Sequence, residues 1–380
     1  MLQPVEKNAN MENFKYWDHL HKNESLEKFN RDRTGLLWLK TKSIIRKELI
    51  EEFLKQNEII LQQTALKQQF VELFDLLSKD IDKSHMLLDE YIKKVSHRQI
   101  ACVDIQQLVS ELYKLKNFEW GGDYQNSLDK YLVSRYVKVQ NPSFDYLVSK
   151  FETEINPAVQ GYVLNSWYNY WSSVLIENLF KSHSVVIPTV GQIKSVDFFV
   201  SNIPFDLKVT YLPAEYVKQK RKEKGLPVEL TFLKQKAKEV NIVYDKEAKP
   251  NDILYEITEK MKDRNDDPCQ QTLQTLKAEK IKILHDTQKN PKVLAKWLYE
   301  NQGEMRFGSE NRLFLVLVDT EDFNNSWKLK RNIDLLKPTI NSYLDDFKNR
   351  KIDDLQVDFE FKDKPHGFSA LADVIFVVKK

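Results

Sequence analysis

The run Ser195 to Val209 sets Asp197 and Asp206 on two short β-rich segments, with Lys208 two residues after the second acid. Side chains alternate along a strand, so Asp206 and Lys208 share one face and Phe205, Leu207 and Val209 the other. Two carboxylates and an ammonium on one side of an otherwise apolar sheet are costly unless a cation or a reaction uses them. Hydrolysis of a phosphodiester needs a polarised phosphate, an activated water and a stabilised leaving oxygen. A magnesium ion on one or two carboxylates supplies these while keeping several waters. Asp197 and Asp206 suit such an ion, with the backbone carbonyl of Leu207 as a third ligand. Lys208 is placed to orient or deprotonate the water and to hold the phosphate. Glu177, spaced to share a helix face with Ser173 and Lys181, would act through a water or on a second ion.

These residues need a helix and a sheet to hold them. Asn156-Pro157 reads as a helix start, with Asn as cap and Pro in the first turn, and the helix runs to about Lys181. Ser184–Pro188, Val196–Val200 and Phe205–Tyr211 then read as a three-strand meander. Arg312–Asp319 is a continuous apolar run, expected to be a strand buried on both faces. Leu355–Phe361 and Asp373–Val378 read as two last strands, and Ser326–Lys348 as a helix kinked at Pro338.

Upstream, no glycine falls between Gly35 and Gly121 and no proline between Pro4 and Pro142. Ile45, Leu49, Phe53 and then Leu66, Phe70, Leu73, Leu77 recur at helical spacing. Further helices are expected over Ser84–Val95, Val103–Leu115 and Ser127–Val137, with a turn at Trp120–Asp123. After the meander, helices are expected over Ala214–Lys224, Ile253–Lys262, Gln270–Asp286 and Pro291–Asn301. The expected organisation is an all-helical N-terminal region over 1–155, a candidate for DNA binding or dimerisation. An α/β domain over 156–380 follows, with a largely helical insertion at about 225–310.

Composition narrows the field. The chain has 380 residues, 42% hydrophobic and 30% charged, as in a globular protein. No apolar run reaches membrane-spanning length and the N-terminus lacks a hydrophobic signal core, so a cytoplasmic protein is expected. Cys102 and Cys269 offer neither a disulfide framework nor a zinc spacing. Nine glycines, without a Walker-type or dinucleotide-binding loop, argue against an ATP-driven enzyme. The histidines, including His19 and His21, lack companions for a metal site. A net charge of +2 requires any nucleic-acid contact to come from a local patch.

Asp197, Asp206-Leu207-Lys208 and the upstream helix bearing Glu177 together resemble the PD-(D/E)XK nuclease superfamily, which includes most type II restriction endonucleases. The resemblance covers about a third of the chain, Asn156 to Leu212 plus the later buried strand. It implies a mixed sheet flanked by helices, Asp197 and Asp206 as metal ligands, Lys208 serving the water and Glu177 as accessory acid. It also implies Mg2+, with Mn2+ as substitute, and a homodimer cutting double-stranded DNA beside a possible cognate DNA methyltransferase. Val196 stands where the family name has proline. The insertion leaves the second core helix to either Ala214–Lys224 or Gln270–Asp286.

The tripeptide recurs at Glu247-Ala-Lys249, Asp346-Phe-Lys348 and Glu360-Phe-Lys362. The last is a rival, since Asp358, Glu360 and Lys362 would share a strand face, but it reads equally as a solvated edge strand. Lys218, Lys220, Arg221, Lys222 and Lys224 follow the proposed site and would track the DNA backbone. An ordinary solvated helix face explains them nearly as well. Three functions therefore stand: a sequence-specific restriction-type endonuclease; a structure-specific repair, recombination or transposition nuclease on the same core; and a non-catalytic DNA-binding protein with a degenerate core.

Overall fold

The computed structural model describes residues 4–23, 26–117, 128–138, 143–302, 310–360 and 367–380. The chain is α/β, with a six-stranded mixed sheet flanked by helices. Its strands are β1 (Val186–Ile193), β2 (Val196–Val200), β3 (Ile203–Tyr211), β4 (Arg312–Asp319), β5 (Gln356–Phe359) and β6 (Phe368–Lys379), in the order β1-β2-β3-β4-β6-β5. β1, β2 and β3 form an antiparallel meander. β3, β4 and β6 run parallel, and β5 closes the far edge antiparallel to β6. Every residue of β4 is buried, as its unbroken apolar run requires of a strand covered on both faces.

The N-terminal helices are α1 (Pro4–Lys22), α2 (Arg33–Ser43), α3 (Lys47–Gln56), α4 (Leu66–Leu77), α5 (Ile81–Ala101), α6 (Ile105–Lys114), α7 (Leu128–Leu132) and α8 (Phe144–Lys150). The turn expected at Trp120–Asp123 lies outside the described residues. The first five helices do not form a core of their own. Phe14, Trp38, Phe53, Phe74 and Ile92 share one apolar cluster with Ile187, Val190 and Phe199 of the sheet. Gly191 lets β1 and α2 approach: a Cβ there would sit 2.3 Å from the Ser43 carbonyl oxygen.

The long helix α9 (Asn156–Lys181) has the expected bounds but not the expected cap. Asn156 is not a cap; Ile155 before it is already helical, and the chain passes from α8 through a π-turn at Phe151–Ile155. Pro157 has no N–H to close an α-type bond, so a wider turn absorbs the gap.

The insertion between β3 and β4 carries α10 (Ala214–Glu223), α11 (Glu229–Glu239), α12 (Pro250–Arg264), α13 (Asp267–Lys289) and α14 (Pro291–Asn301). A 3-10 segment (Phe323–Arg331), α15 (Ile333–Phe347, with Pro338 inside it) and the short α16 (Ile352–Leu355) follow β4. α9 and α15 cover one sheet face, packing Ile176, Phe180, Leu336 and Ile340 on Phe198, Phe205, Leu313 and Leu315. α10, α13 and α14 cover the opposite face of β4 and β6, on Phe314, Val316 and Ala372. Both candidates for the second core helix therefore pack on that face, together with α14.

Candidate functional site

The site forms where β3 changes partners. Phe198 pairs with Phe205 and Phe199 with Pro204, so Asp197 and Asp206 come next to each other in the register. There the β2–β3 ladder ends. From Asp206 onward β3 pairs with β4, and the Asp206 N–H donates to the Asn311 carbonyl at 2.9 Å. Leu207 N–H, turned away from β4, loses its strand partner. The Asp197 carboxylate takes it instead, Oδ2 accepting at 2.8 Å. In an extended strand a residue's N–H and C=O leave on the same edge, so the Leu207 carbonyl points into the same split.

The alternation expected of β3 holds. Phe205, Leu207 and Val209 pack into the cluster under α9 and α15. Asp206 and Lys208 take the other face, Lys208 exposed and Asp206 half-buried. On that face the N-terminal helices cover the β1–β2 end and α10, α13 and α14 cover the β4–β6 end. The acids lie where the two coverings meet.

Burial pushes the Asp197 carboxyl up to about 6, and the negative charges of Asp206 and Glu177 add to this, against the Leu207 hydrogen bond and Lys181. Burial also raises Asp206; Arg312 and Lys208 oppose the shift and Glu310 and Glu177 reinforce it. Glu177, on α9, thus stands within electrostatic reach of both aspartates. It accepts from Lys181 at 2.8 Å, one helical turn away.

Sequence reasoning missed four residues here. Glu310 is buried and accepts from the Ser195 hydroxyl at 3.0 Å. Arg312, also buried, lies 3.8 Å from Asp206 and 3.5 Å from Glu310. Asn311 ties β3 to its surroundings: its amide donates to the Pro204 carbonyl at 2.9 Å, and its oxygen accepts from Leu371 N–H at 3.0 Å and Asn30 at 3.1 Å. Lys330, in the 3-10 segment, is buried, donates to Asn169 of α9 at 2.8 Å, and is pushed down to about 8 by burial and by Lys208. The one sequence signal was the polar triplet Glu310-Asn311-Arg312 at the mouth of an apolar strand.

The donor set suits a hard cation that keeps its own waters. Among the described residues, no group of three or more His, Cys, Asp or Glu side chains is disposed to hold a metal. An ion here would therefore rest on Asp197, Asp206, the Leu207 carbonyl and water, a set magnesium accepts. Two half-buried carboxylates, each raised chiefly by burial, are the groups such an ion would relieve.

The basic stretch separates into different environments. Lys218 pairs with Glu215 and Lys220 with Glu223 on the same helix, and Lys224 pairs with Asp286 of α13. Lys222 is exposed. Arg221 corrects the expectation of phosphate contact. Its side chain is 1% exposed, bonded to Glu279 and to the Pro227 carbonyl, and it fastens α10 to α13 and the following loop. On the rival strand, Asp358 is exposed at the sheet edge, and Lys362 lies outside the described residues.

Among the described residues no helix is long and apolar enough to cross a membrane. No protein-family model, curated protein or solved structure matches the chain.

Proposed function

We propose that the chain is a metal-dependent endonuclease with a PD-(D/E)XK-like core, cutting double-stranded DNA in the manner of a type II restriction enzyme. The observation that carries this reading is the strand split at Asp206, which brings Asp197 beside Asp206 and gives Asp197 the Leu207 N–H. Asp197, Asp206 and the Leu207 carbonyl would hold Mg2+, with Mn2+ as substitute. Bound there, the ion polarises the scissile phosphate and acidifies a water. Lys208, on the Asp206 face and exposed, reaches the phosphate and orients the attacking water. Glu177, paired with Lys181, holds water on the α9 side of the split. Arg312, 3.8 Å from Asp206 and 3.5 Å from Glu310, offsets part of the negative charge gathered there.

A homodimer is part of the proposal, since a two-fold protein cuts both strands of a pseudo-palindrome. Its support is an exposed apolar segment. Of seventeen exposed large apolar side chains among the described residues, nine fall between Val133 and Tyr170, and Phe144 is 78% exposed.

The test is digestion of unmethylated phage DNA with Mg2+, followed by sequencing of the fragment ends. Discrete ends at one short sequence are expected, protected when a cognate methyltransferase has modified that sequence. Nicks at forks or ends would favour the structure-specific alternative. Asp206→Asn and Lys208→Ala should each lower cleavage at least 100-fold, with circular dichroism unchanged. Cleavage that survives both substitutions would take Asp206 and Lys208 out of the reaction, and a parent that cuts no DNA would return the chain to the non-catalytic reading.

A further inference from the structure

We infer that the cavity of about 370 Å3 between α10 and the helices α11 to α13 binds a flat, neutral heterocycle of nucleobase type. The inference is independent of whether the acids on β3 cut DNA. The volume lies within the range of small-molecule sites. Leu212, Val217 and Leu254 supply apolar walls, and Phe323 supplies an aromatic one with the Lys280 ammonium 5.6 Å from its ring centroid.

The polar groups select the ligand. Arg221 lines the cavity with its side chain 1% exposed. Nε donates to the Pro227 carbonyl and Nη1 to Glu279, while Nη2 has no protein partner among the described residues. Asn251 and Asn324 also line the cavity. Each cation here already has an acid: Lys218 with Glu215, Lys280 with Glu229, Arg221 with Glu279. The balanced charge disfavours a phosphate or other compact anion. It favours a neutral body with apolar faces and a donor–acceptor edge, as a purine or pyrimidine presents. Such a body stacks on an aromatic wall in any sequence context.

Isothermal titration of the full chain with adenosine, guanosine, cytidine and thymidine tests this. Saturable one-to-one binding of at least one nucleoside, with Kd below about 1 mM, is expected. Ala214→Trp, which fills the mouth from an exposed position at the start of α10, should weaken it at least tenfold. Asn324→Leu should weaken it several-fold, and the melting temperature should hold in both. A single-stranded oligonucleotide that displaces the nucleoside would identify a strand-borne base as its source. Binding without displacement would identify the free nucleoside. Absence of saturable binding by all four nucleosides, or displacement by inorganic phosphate at lower concentration than any nucleoside, overturns the inference.

Discussion

Asp197 holds its proton to about pH 6 because its carboxylate is buried beside Asp206 and Glu177. The sign of the consequence follows from that direction. A carboxyl raised above its unfolded value weakens folding while it is charged, fully so above the folded value. The penalty fades as pH falls through about 6 toward 3.8, because the folded chain takes up the proton first. Asp206, also raised, acts in the same direction. In chelator-treated protein the urea midpoint should therefore rise between pH 7.5 and pH 5. Asp197→Asn keeps an acceptor for the Leu207 N–H and removes the charge, so it should be more stable than the parent at pH 7.5. The gain should be roughly 1–3 kcal/mol, and cleavage should be lost. A variant less stable than the parent would mean that the charged carboxylate holds the split together. Lys208 is a different case: it is exposed and contributes little to the core, so Lys208→Ala should leave the urea midpoint within about 0.5 kcal/mol.

At the scale of elements, α10 joins two roles that its composition made look like one. Arg221 ties the helix to Glu279 and Pro227, whereas Lys222 is exposed. Arg221→Ala leaves Glu279 without its partner and should cost about 3 kcal/mol in urea denaturation. Lys222→Glu should cost almost nothing in stability. If α10 lies along the DNA backbone, that substitution should lower affinity and shallow the salt dependence by about one ion. An unchanged salt slope would take α10 off the backbone. This division was hidden in the sequence because a run of Lys and Arg carries no register against α13. Local patterns did carry the helix before the meander, the meander itself and the buried β4, since alternation and apolar runs are read within one segment. The partner switch at Asp206 was not legible. It depends on β4, more than a hundred residues later, and on the Asn311 amide bridging Pro204, Leu371 and Asn30. Glu310 and Arg312 entered the site by the same long-range pairing. The cap role of Asn156 was misread because a cap motif looks the same whether a loop or a π-turn precedes it.

Over the whole molecule, α9 runs from the exposed apolar segment to the acids. Its 26 residues span about 39 Å, with Tyr170 63% exposed and Glu177 two turns further on. A helix that ends at the proposed catalytic acids and begins in unburied aromatic and aliphatic side chains suits an interface that would fix the separation of two sites. The segment's charges balance: Asp129, Asp145, Glu152 and Glu154 against Lys130, Arg135, Lys138 and Lys150. In the proposed dimer two copies would meet there without net repulsion, and a polyanion gains little from it. Light scattering at about 10 μM should give twice the mass of the 45.0 kDa chain. Phe144→Ser with Val163→Ser should return the monomer mass without lowering the melting temperature of the monomer, since both side chains are exposed, at 78% and 56%. The same double variant should turn double-strand breaks on supercoiled plasmid into nicks, one protomer cutting one strand at a time. A monomeric parent that still makes double-strand breaks would dissociate the apolar segment from cleavage and leave the spacing of the two cuts to some other part of the chain.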